Sequence, residues 1–264
     1  MKVPIGIILG VAKEEVEKDL YGLLENIAGI GYKGVEFGRM DKYKSSQVRK
    51  WMDLLNLETI CYQTFLESLR DDFDRVLDDA LELGCKYVVL NWTTYETLDI
   101  ALEKATLYNR IGEKLKKHGL QFCYHNHAHE FFKLNGKYVL DILMGNTEPE
   151  LLQIQFDTFW LKVAEIEPPT AYIKKYKDRC PLFHFQDKKP GYNIALPWQA
   201  DGWMDYSPLL TEVGTGLVDF ESIAPVAKEC GAKWFSVEQW IPGSLPPLDS
   251  IRISYDNLNK MNLE

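Results

Sequence analysis

Eight short apolar segments, separated by longer amphipathic ones, dominate this sequence of 264 residues. The apolar segments have the length of buried β-strands, and the segments between them carry apolar residues at the three- and four-residue spacing of a helix. The predicted strands are Ile5–Leu9, Gly34–Phe37, Glu58–Tyr62, Tyr87–Leu90, Gln121–Tyr124, Leu152–Phe156, Leu182–Phe185 and Trp234–Val237. This alternation predicts a parallel sheet built from strand–helix units.

The predicted helices complete the pattern, and several end at a glycine where a left-handed C-cap is common. They are Glu14–Gly31, Ser46–Leu55, Asp71–Leu83, Tyr95–Lys117, Tyr138–Met144, Pro169–Tyr176, Val218–Cys230 and Ile251–Met261. Eight strand–helix units in a chain of this length predict an α/β fold, a single (β/α)8 TIM barrel over residues 1–264. An open doubly wound sheet is the rival, but no GxGxxG or GxxxxGK[ST] motif supports it.

Composition excludes several function classes. The net charge of −9 argues against nucleic-acid binding, because a protein that binds nucleic acid needs a basic face. No apolar run approaches the length of a membrane span, so we expect no membrane association. The five cysteines are odd in number, widely spaced and without a CxxC motif, which indicates a reducing, cytoplasmic location rather than disulfides.

Polar residues follow four consecutive predicted strands. The fifth strand is followed by His125-Asn126-His127-Ala128-His129-Glu130, the sixth by Asp157, and the eighth by Glu238, while the seventh contains His184. The carboxyl ends of barrel strands meet at one rim, so these side chains should converge. Their oxygen and imidazole donors predict one divalent metal ion (Mn²⁺, Co²⁺, Zn²⁺, Fe²⁺ or Mg²⁺).

Such an ion can chelate the adjacent oxygens of a hydroxy-ketone while a base removes the neighbouring proton. The sequence therefore predicts a small sugar or polyol substrate. A structural interpretation stays open for each residue. Asp157 could cap the following helix, and His129 could be a solvated loop residue.

Six segments in this order resemble the xylose isomerase-like TIM-barrel superfamily of sugar phosphate isomerases and epimerases, which also contains inosose dehydratases and the AP endonuclease family 2. The segments are GYKGVEF (31–37), YHNHAHEF (124–131), FDTF (156–159), HFQD (184–187), EVGTGLVDF (212–220) and VEQ (237–239). The resemblance covers nearly the whole chain. It implies a metal held by Glu, Asp, His and Glu from the last four strands.

Asp157, His184 and Glu238 match this ligand set, but the first glutamate does not. Relatives read E-N-H where this chain reads His125-Asn126-His127. Either His125 takes the place of that glutamate, or Glu130 supplies the carboxylate. We favour Glu130 as the ligand, which leaves His125 to contact the substrate.

The main functional hypothesis is a metal-dependent isomerase or epimerase in which Glu130 and Glu238 act as the acid–base pair beside a metal-bound carbonyl. The alternative is a dehydratase or β-eliminating lyase on a keto-sugar or inosose, with His127 as the acid. An endonuclease IV-like DNA-repair enzyme and a non-catalytic sugar-binding barrel are less favoured.

The predicted substrate contacts are His125, Asn126, Trp160, Lys188 and Gln63. Trp92, Trp198, Trp203 and Trp240 also fall in predicted mouth loops. Exposed indole faces suit stacking on a sugar ring. Because relatives often associate, the resemblance also implies a homo-oligomer.

Overall fold

The computed structural model describes residues 2–166, 168–191, 205–239 and 245–261. In these residues, eight parallel strands close into a barrel, in which each strand pairs with its two neighbours in sequence and the last pairs with the first. The strands are Ile5–Ile8 (β1), Gly34–Phe37 (β2), Glu58–Thr64 (β3), Tyr87–Leu90 (β4), Gln121–His125 (β5), Gln153–Asp157 (β6), Leu182–Phe185 (β7) and Trp234–Val237 (β8). The predicted single-domain TIM barrel is confirmed.

Helices link the strands, and their apolar faces are buried. The described α-helices are Lys13–Ile30 (α1), Ser45–Leu54 (α2), Leu66–Asp71 (α3), Phe73–Leu83 (α4), Leu98–Lys116 (α5), Val139–Gly145 (α6), Thr158–Val163 (α7), Pro169–Lys175 (α8), Phe220–Glu229 (α9) and Pro247–Lys260 (α10). In α4, Val76, Leu77, Ala80 and Leu83 form one buried stripe. Gly84 then ends the helix in the left-handed conformation, with φ 76°.

The sequence-based boundaries differ from the structure at several elements. The helix predicted from Asp71 to Leu83 begins at Phe73, because Asp72 is not helical, and the preceding short helix α3 was not predicted. The sixth strand lies one residue later than predicted and ends at Asp157, which caps the unpredicted helix α7. Thr97 likewise caps α5, so that helix starts after the predicted Tyr95.

The barrel interior has an apolar part and a polar part. An apolar cluster, which we call the interior plug, consists of Ile60, Cys61, Val89, Cys123, Leu182 and Trp234. Glycine makes room for it on β2, since a Cβ at Gly34 would lie 2.7 Å from Trp234 and 2.8 Å from Ile60. Buried polar side chains of β2, β3, β6 and β7 fill the rest of the interior, as described below.

Two further observations bear on the sequence-based expectations. All five cysteines are buried and free, as the absence of a disulfide pattern predicts. Among the described helices, none combines the length and apolar character needed to cross a bilayer.

Candidate functional site

Four side chains from neighbouring strands converge at the carboxyl end of the barrel. They are His125, Asp157, His184 and Glu238, and one nitrogen or carboxylate oxygen from each lies within 4.8 Å of the others. The barrel order β5–β6–β7–β8 brings them together, because each residue lies at or near the end of its strand. His125, Asp157 and His184 are buried, whereas the Glu238 side chain retains 21% exposure. The group therefore reaches the mouth through Glu238.

The two carboxylate oxygens of Asp157 have different surroundings. Its Oδ1 accepts a hydrogen bond from the Trp160 backbone N–H at 3.0 Å and caps α7. Its Oδ2 is buried and has no partner among the described residues. Burial and the neighbouring Glu238 raise the pKa of Asp157 well above its usual value. A buried carboxylate oxygen in this state calls for a cation or a proton.

His184 lies between two carboxylates. Its Nε2 donates to Glu36 Oε2 at 2.8 Å, and its Nδ1 donates to Glu238 Oε2. Burial alone would lower the pKa of His184, but Glu36 and Glu238 raise it well above the usual value. In turn, His184 outweighs the effect of burial on Glu36 and lowers the pKa of that carboxyl to about 2.

Glu36 anchors a polar layer beneath this group. Its carboxylate accepts hydrogen bonds from Gln63 Nε2 at 2.6 Å and from Gln155 Nε2 at 3.1 Å, as well as from Cys61 Sγ at 3.1 Å. Gln155 Oε1 lies 3.1 Å from His125 Nδ1. Both histidines of the group are thus hydrogen-bonded, directly or through Gln155, to one carboxylate.

The surroundings of His125 and His127 favour the neutral imidazole over the imidazolium. Burial, with the nearby His184, lowers the pKa of His125 to about 4. Burial and the neighbouring histidines also lower the pKa of His127 well below its usual value. His127 Nδ1 is buried with no hydrogen-bond partner in the described part of the chain. An unpaired neutral imidazole nitrogen at this position can accept a proton.

The converging group fits a divalent metal ion. It offers two imidazoles and two carboxylates, a donor set typical of Zn²⁺, Mn²⁺, Co²⁺ and Fe²⁺ sites. The unpartnered Asp157 Oδ2 is a ready ligand, and it comes from the same buried carboxylate whose other oxygen is fixed by α7.

The structure does not bring Glu130, the favoured sequence-based ligand, into this group. Glu130 belongs to a separate cluster with His127 and His129. It is fully buried and accepts hydrogen bonds from the Tyr124 hydroxyl and from the His127 backbone N–H at 2.8 Å. It also forms an ion pair with His129, whose Nε2 lies 3.0 Å from Glu130 Oε1 and hydrogen-bonds the Thr93 carbonyl oxygen. These donors hold its carboxylate in the turn that follows β5, and His125 takes the place beside Asp157, His184 and Glu238.

The other predicted contacts lie in different surroundings. Gln63 belongs to the buried layer around Glu36. Asn126 is buried, and its Oδ1 accepts the Asp157 backbone N–H at 3.1 Å, which ties β5 to β6. Lys188 is largely buried in a short antiparallel pair with Leu210, outside both clusters. Trp198, Trp203 and Trp240 lie outside the described residues.

Two indole rings flank His127. Its ring centroid lies 4.7 Å from that of Trp92 and 5.1 Å from that of Trp160. On the side of the first four strands, a cavity of about 340 Å³ has Glu36 and Gln63 in its lining. The described residues thus place aromatic rings around His127 and, separately, a cavity that is large enough to admit a small molecule.

The sequence interpretation assigned no role to Glu36 or Gln155. Glu36 stood only within the GYKGVEF segment, and Gln155 lay inside a predicted apolar strand. The signal was available, because a charged residue in a short apolar strand is rarely buried without a specific partner. The partner could not be found, since His184 is 148 positions away in sequence.

Comparison with known proteins agrees with the barrel fold. The family model of the Xylose isomerase-like TIM barrel matches residues 24–261. An inosose dehydratase from Lacticaseibacillus casei is 26% identical, over 81% of this chain and 80% of that protein. Among solved structures, a sugar phosphate isomerase/epimerase from Parabacteroides distasonis has a TM-score of 0.79 and 21% identity, over 98% of this chain and 94% of that chain. The IolI protein, solved with a bound zinc atom, has a TM-score of 0.76 and 15% identity, over 99% and 98% of the two chains.

Proposed function

Since the chain belongs to the Xylose isomerase-like TIM barrel family, we propose that it is a metal-dependent lyase that removes water from a cyclic polyol ketone, such as an inosose. This is the alternative that the sequence offers to an isomerase or epimerase. The likeness to inosose dehydratases supports it more than it supports the isomerase hypothesis.

The observation that carries the proposal is the position of Glu130. Epimerisation through two glutamates needs a second carboxylate that can face the substrate opposite Glu238. Glu130 is instead engaged by Tyr124, His129 and the His127 backbone. The group at the mouth contains one glutamate, and His127 lies beside it, with its ring centroid 4.8 Å from that of His125, so a proton-transfer route through His127 is favoured.

In this proposal His125, Asp157, His184 and Glu238 hold one divalent ion. When bound, such an ion polarises a carbonyl oxygen of the substrate and so makes the neighbouring C–H bond more acidic. Asp157 contributes Oδ2, because its Oδ1 is used by α7.

His127 is the proposed proton carrier. The sequence interpretation placed it as an acid, but its lowered pKa favours the neutral imidazole as a base. Nδ1 accepts the proton from the carbon next to the ketone, and the imidazolium then donates that proton to the hydroxyl on the following carbon. The hydroxyl departs as water, and the electron pair of the broken C–H bond becomes the new C=C bond.

The surroundings of His127 suit a ring-shaped polyol. Trp92 is partly exposed and offers an apolar face for the C–H side of a ring. Trp160, in contrast, is 5% exposed and packs against Phe159 and Tyr206, so it is not available for the stacking role that the sequence suggested. A cavity of about 340 Å³ on the side of the first four strands carries Thr64 and Asn91 in its lining, which can bond hydroxyl groups.

The test is incubation of the Mn²⁺- or Co²⁺-supplemented protein with an inosose in D₂O, followed by proton NMR. We expect loss of water from the substrate by the wild-type protein. A His127→Ala variant should lose roughly 10²- to 10⁴-fold in rate while keeping its metal. A His118→Asn variant, which changes an exposed histidine outside the site, is the control and should keep the wild-type rate.

Retention of the wild-type rate by His127→Ala would overturn the role of His127. Deuterium incorporation beside an intact ketone, with no loss of water, would overturn the lyase proposal in favour of an isomerase or epimerase.

A further inference from the structure

We propose that Glu36 is the positioning residue that sets the protonated nitrogen of both histidines in the metal-binding group, directly for His184 and through Gln155 for His125. The inference rests on the proposed function in that the group binds a metal ion. It concerns residues beneath the site that neither the metal nor the substrate need contact.

The first step is the contact between Glu36 and His184. An ionised carboxylate can only accept hydrogen bonds, so the proton in the 2.8 Å contact must belong to His184 Nε2. His184 Nδ1 is the nitrogen that faces Glu238 and the converging group. In the metal-free protein Nδ1 is also protonated, towards Glu238, and a metal ion would displace that proton. Glu36 keeps the proton on Nε2, so Nδ1 is the nitrogen that can become a metal ligand.

The second step is the orientation of Gln155. Its side-chain amide nitrogen lies 3.2 Å and 3.1 Å from the two carboxylate oxygens of Glu36, and its Oε1 lies on the opposite side. Because Glu36 cannot donate, the amide nitrogen must face it. Gln63 Nε2 also donates to Gln155 Oε1 at 3.0 Å, which supports the same orientation.

The third step carries the constraint to His125. Gln155 Oε1 can only accept, so the 3.1 Å contact requires a proton on His125 Nδ1. Nε2 then has its lone pair free for a metal ion. The Glu36 carboxylate thus determines which nitrogen of each histidine can bind the metal ion: Nδ1 of His184 and Nε2 of His125.

Burial makes this arrangement effective. Glu36, Gln155 and His184 are each 0% exposed, and Gln63 and His125 are 5% and 2% exposed. Water is therefore poorly placed to substitute for a lost partner. Outer-sphere carboxylates of this kind typically change metal affinity by about 10- to 100-fold when removed.

The experiment uses the full chain labelled with ¹⁵N-histidine and long-range ¹H–¹⁵N correlation spectra, which identify the protonated nitrogen of each of the five histidines. In the Zn²⁺-loaded wild-type protein we expect protons on His184 Nε2 and His125 Nδ1. In the metal-free protein we expect the same proton on His125 Nδ1. A proton on His125 Nε2 would overturn the inference without any substitution.

Zn²⁺ affinity is then measured by competition with a chelator. Glu36→Gln should weaken Zn²⁺ binding about 10- to 100-fold. It should also allow both tautomers of His125, because the new amide can donate to Gln155, whose side chain can then turn its own amide nitrogen towards His125. Gln155→Met should alter His125 alone and leave His184 Nε2 protonated, which keeps the inference testable if Glu36→Gln does not fold.

Cys61→Ser is the matched control, since Cys61 contacts Glu36 at the same depth but touches neither histidine. It should keep Zn²⁺ affinity within about twofold of wild type. Equal losses in Cys61→Ser and Glu36→Gln, or no loss in Glu36→Gln, would overturn the inference. If the wild-type protein binds no Zn²⁺, the proposed function fails, while the metal-free spectrum still decides the tautomer of His125.

Discussion

Asp157 and Trp160 are joined by a hydrogen bond of 3.0 Å from the Trp160 backbone N–H to Asp157 Oδ1. This bond turns one carboxylate oxygen towards the first turn of α7 and leaves the other, Oδ2, for the converging group. The structural and functional interpretations of Asp157 are thus compatible, because they use different oxygens of one side chain.

This division predicts different outcomes for two substitutions of Asp157. Asp157→Asn can keep the helix cap through its amide oxygen, so its thermal stability should stay close to wild type while metal is lost. Asp157→Ala loses the cap as well and should be destabilised by about 0.5–2 kcal/mol. Elemental analysis of the metal-supplemented proteins measures the loss of metal, and thermal unfolding of the metal-free proteins measures the loss of the helix cap. A full equivalent of metal in Asp157→Asn would contradict the ligand role.

His125 and Glu130 are the two candidate metal ligands from the segment at the end of β5, and their substitutions should have different effects. His125→Ala should lower metal content, because His125 lies in the converging group, whereas Glu130→Gln should leave it unchanged. Glu130→Gln should instead lower the free energy of unfolding by about 1–3 kcal/mol, because it alters a buried carboxylate that accepts two hydrogen bonds and pairs with His129. Loss of metal in Glu130→Gln with retention in His125→Ala would restore the original choice of ligand.

Asp141 predicts a pH-dependent contribution to stability away from the site. Burial alone would raise the pKa of Asp141, but Lys175, Tyr172 and Tyr176 outweigh it and lower the pKa below its usual value. Lys175 Nζ lies 2.7 Å from its Oδ2, and the Tyr172 hydroxyl lies 2.6 Å from its Oδ1, so Asp141 joins α6 to α8.

A group with a lowered folded pKa stabilises the fold above its unfolded pKa, about 3.9 for Asp, and loses that effect as pH falls through the folded value. Asp141→Asn should therefore be less stable than wild type at pH 7, by on the order of 1 kcal/mol, with a smaller difference near pH 3. Denaturant unfolding at both pH values checks this. A difference that widens on acidification would reverse the assigned sign.

The backbone at Gly216, near the end of β7, leaves no room for a side chain. Asp187 accepts the backbone N–H groups of Gly214, Gly216 and Val218, at 2.9, 2.8 and 3.0 Å. A Cβ on Gly216 would lie 2.4 Å from Asp187 Oδ1 and 2.4 Å from the Lys188 carbonyl oxygen. We expect Gly216→Ala to destabilise the protein by about 1–3 kcal/mol, measured by thermal unfolding.

Gly145→Ala is the control for this substitution, because a Cβ at Gly145 meets no atom within 4 Å. Its stability should equal or slightly exceed that of wild type. Equal stability of Gly216→Ala and Gly145→Ala would show that the loop around Asp187 adjusts without cost.

The sequence supports the fold and most of the site because both depend on local patterns. Periodic apolar residues identify the strands, and strand ends identify Asp157, His184 and Glu238 as neighbours. The choice between His125 and Glu130 depends on side-chain direction at and after the end of β5, where a short 3-10 helix, His129–Phe131, follows. Local pattern does not determine that direction, since the Tyr124 and His129 contacts that hold Glu130 form only in the folded chain.

The interior plug has a consequence for the strength of the site above it. Trp234 and Ile60 close the barrel below Glu36, so solvent cannot approach the carboxylate from the amino end of the strands. In such a poorly polarisable medium, a hydrogen bond to a charged group is stronger than it would be in contact with bulk water. The mouth loops can therefore diverge to suit new substrates while the electrostatics of the site remain governed by apolar packing that no substrate touches.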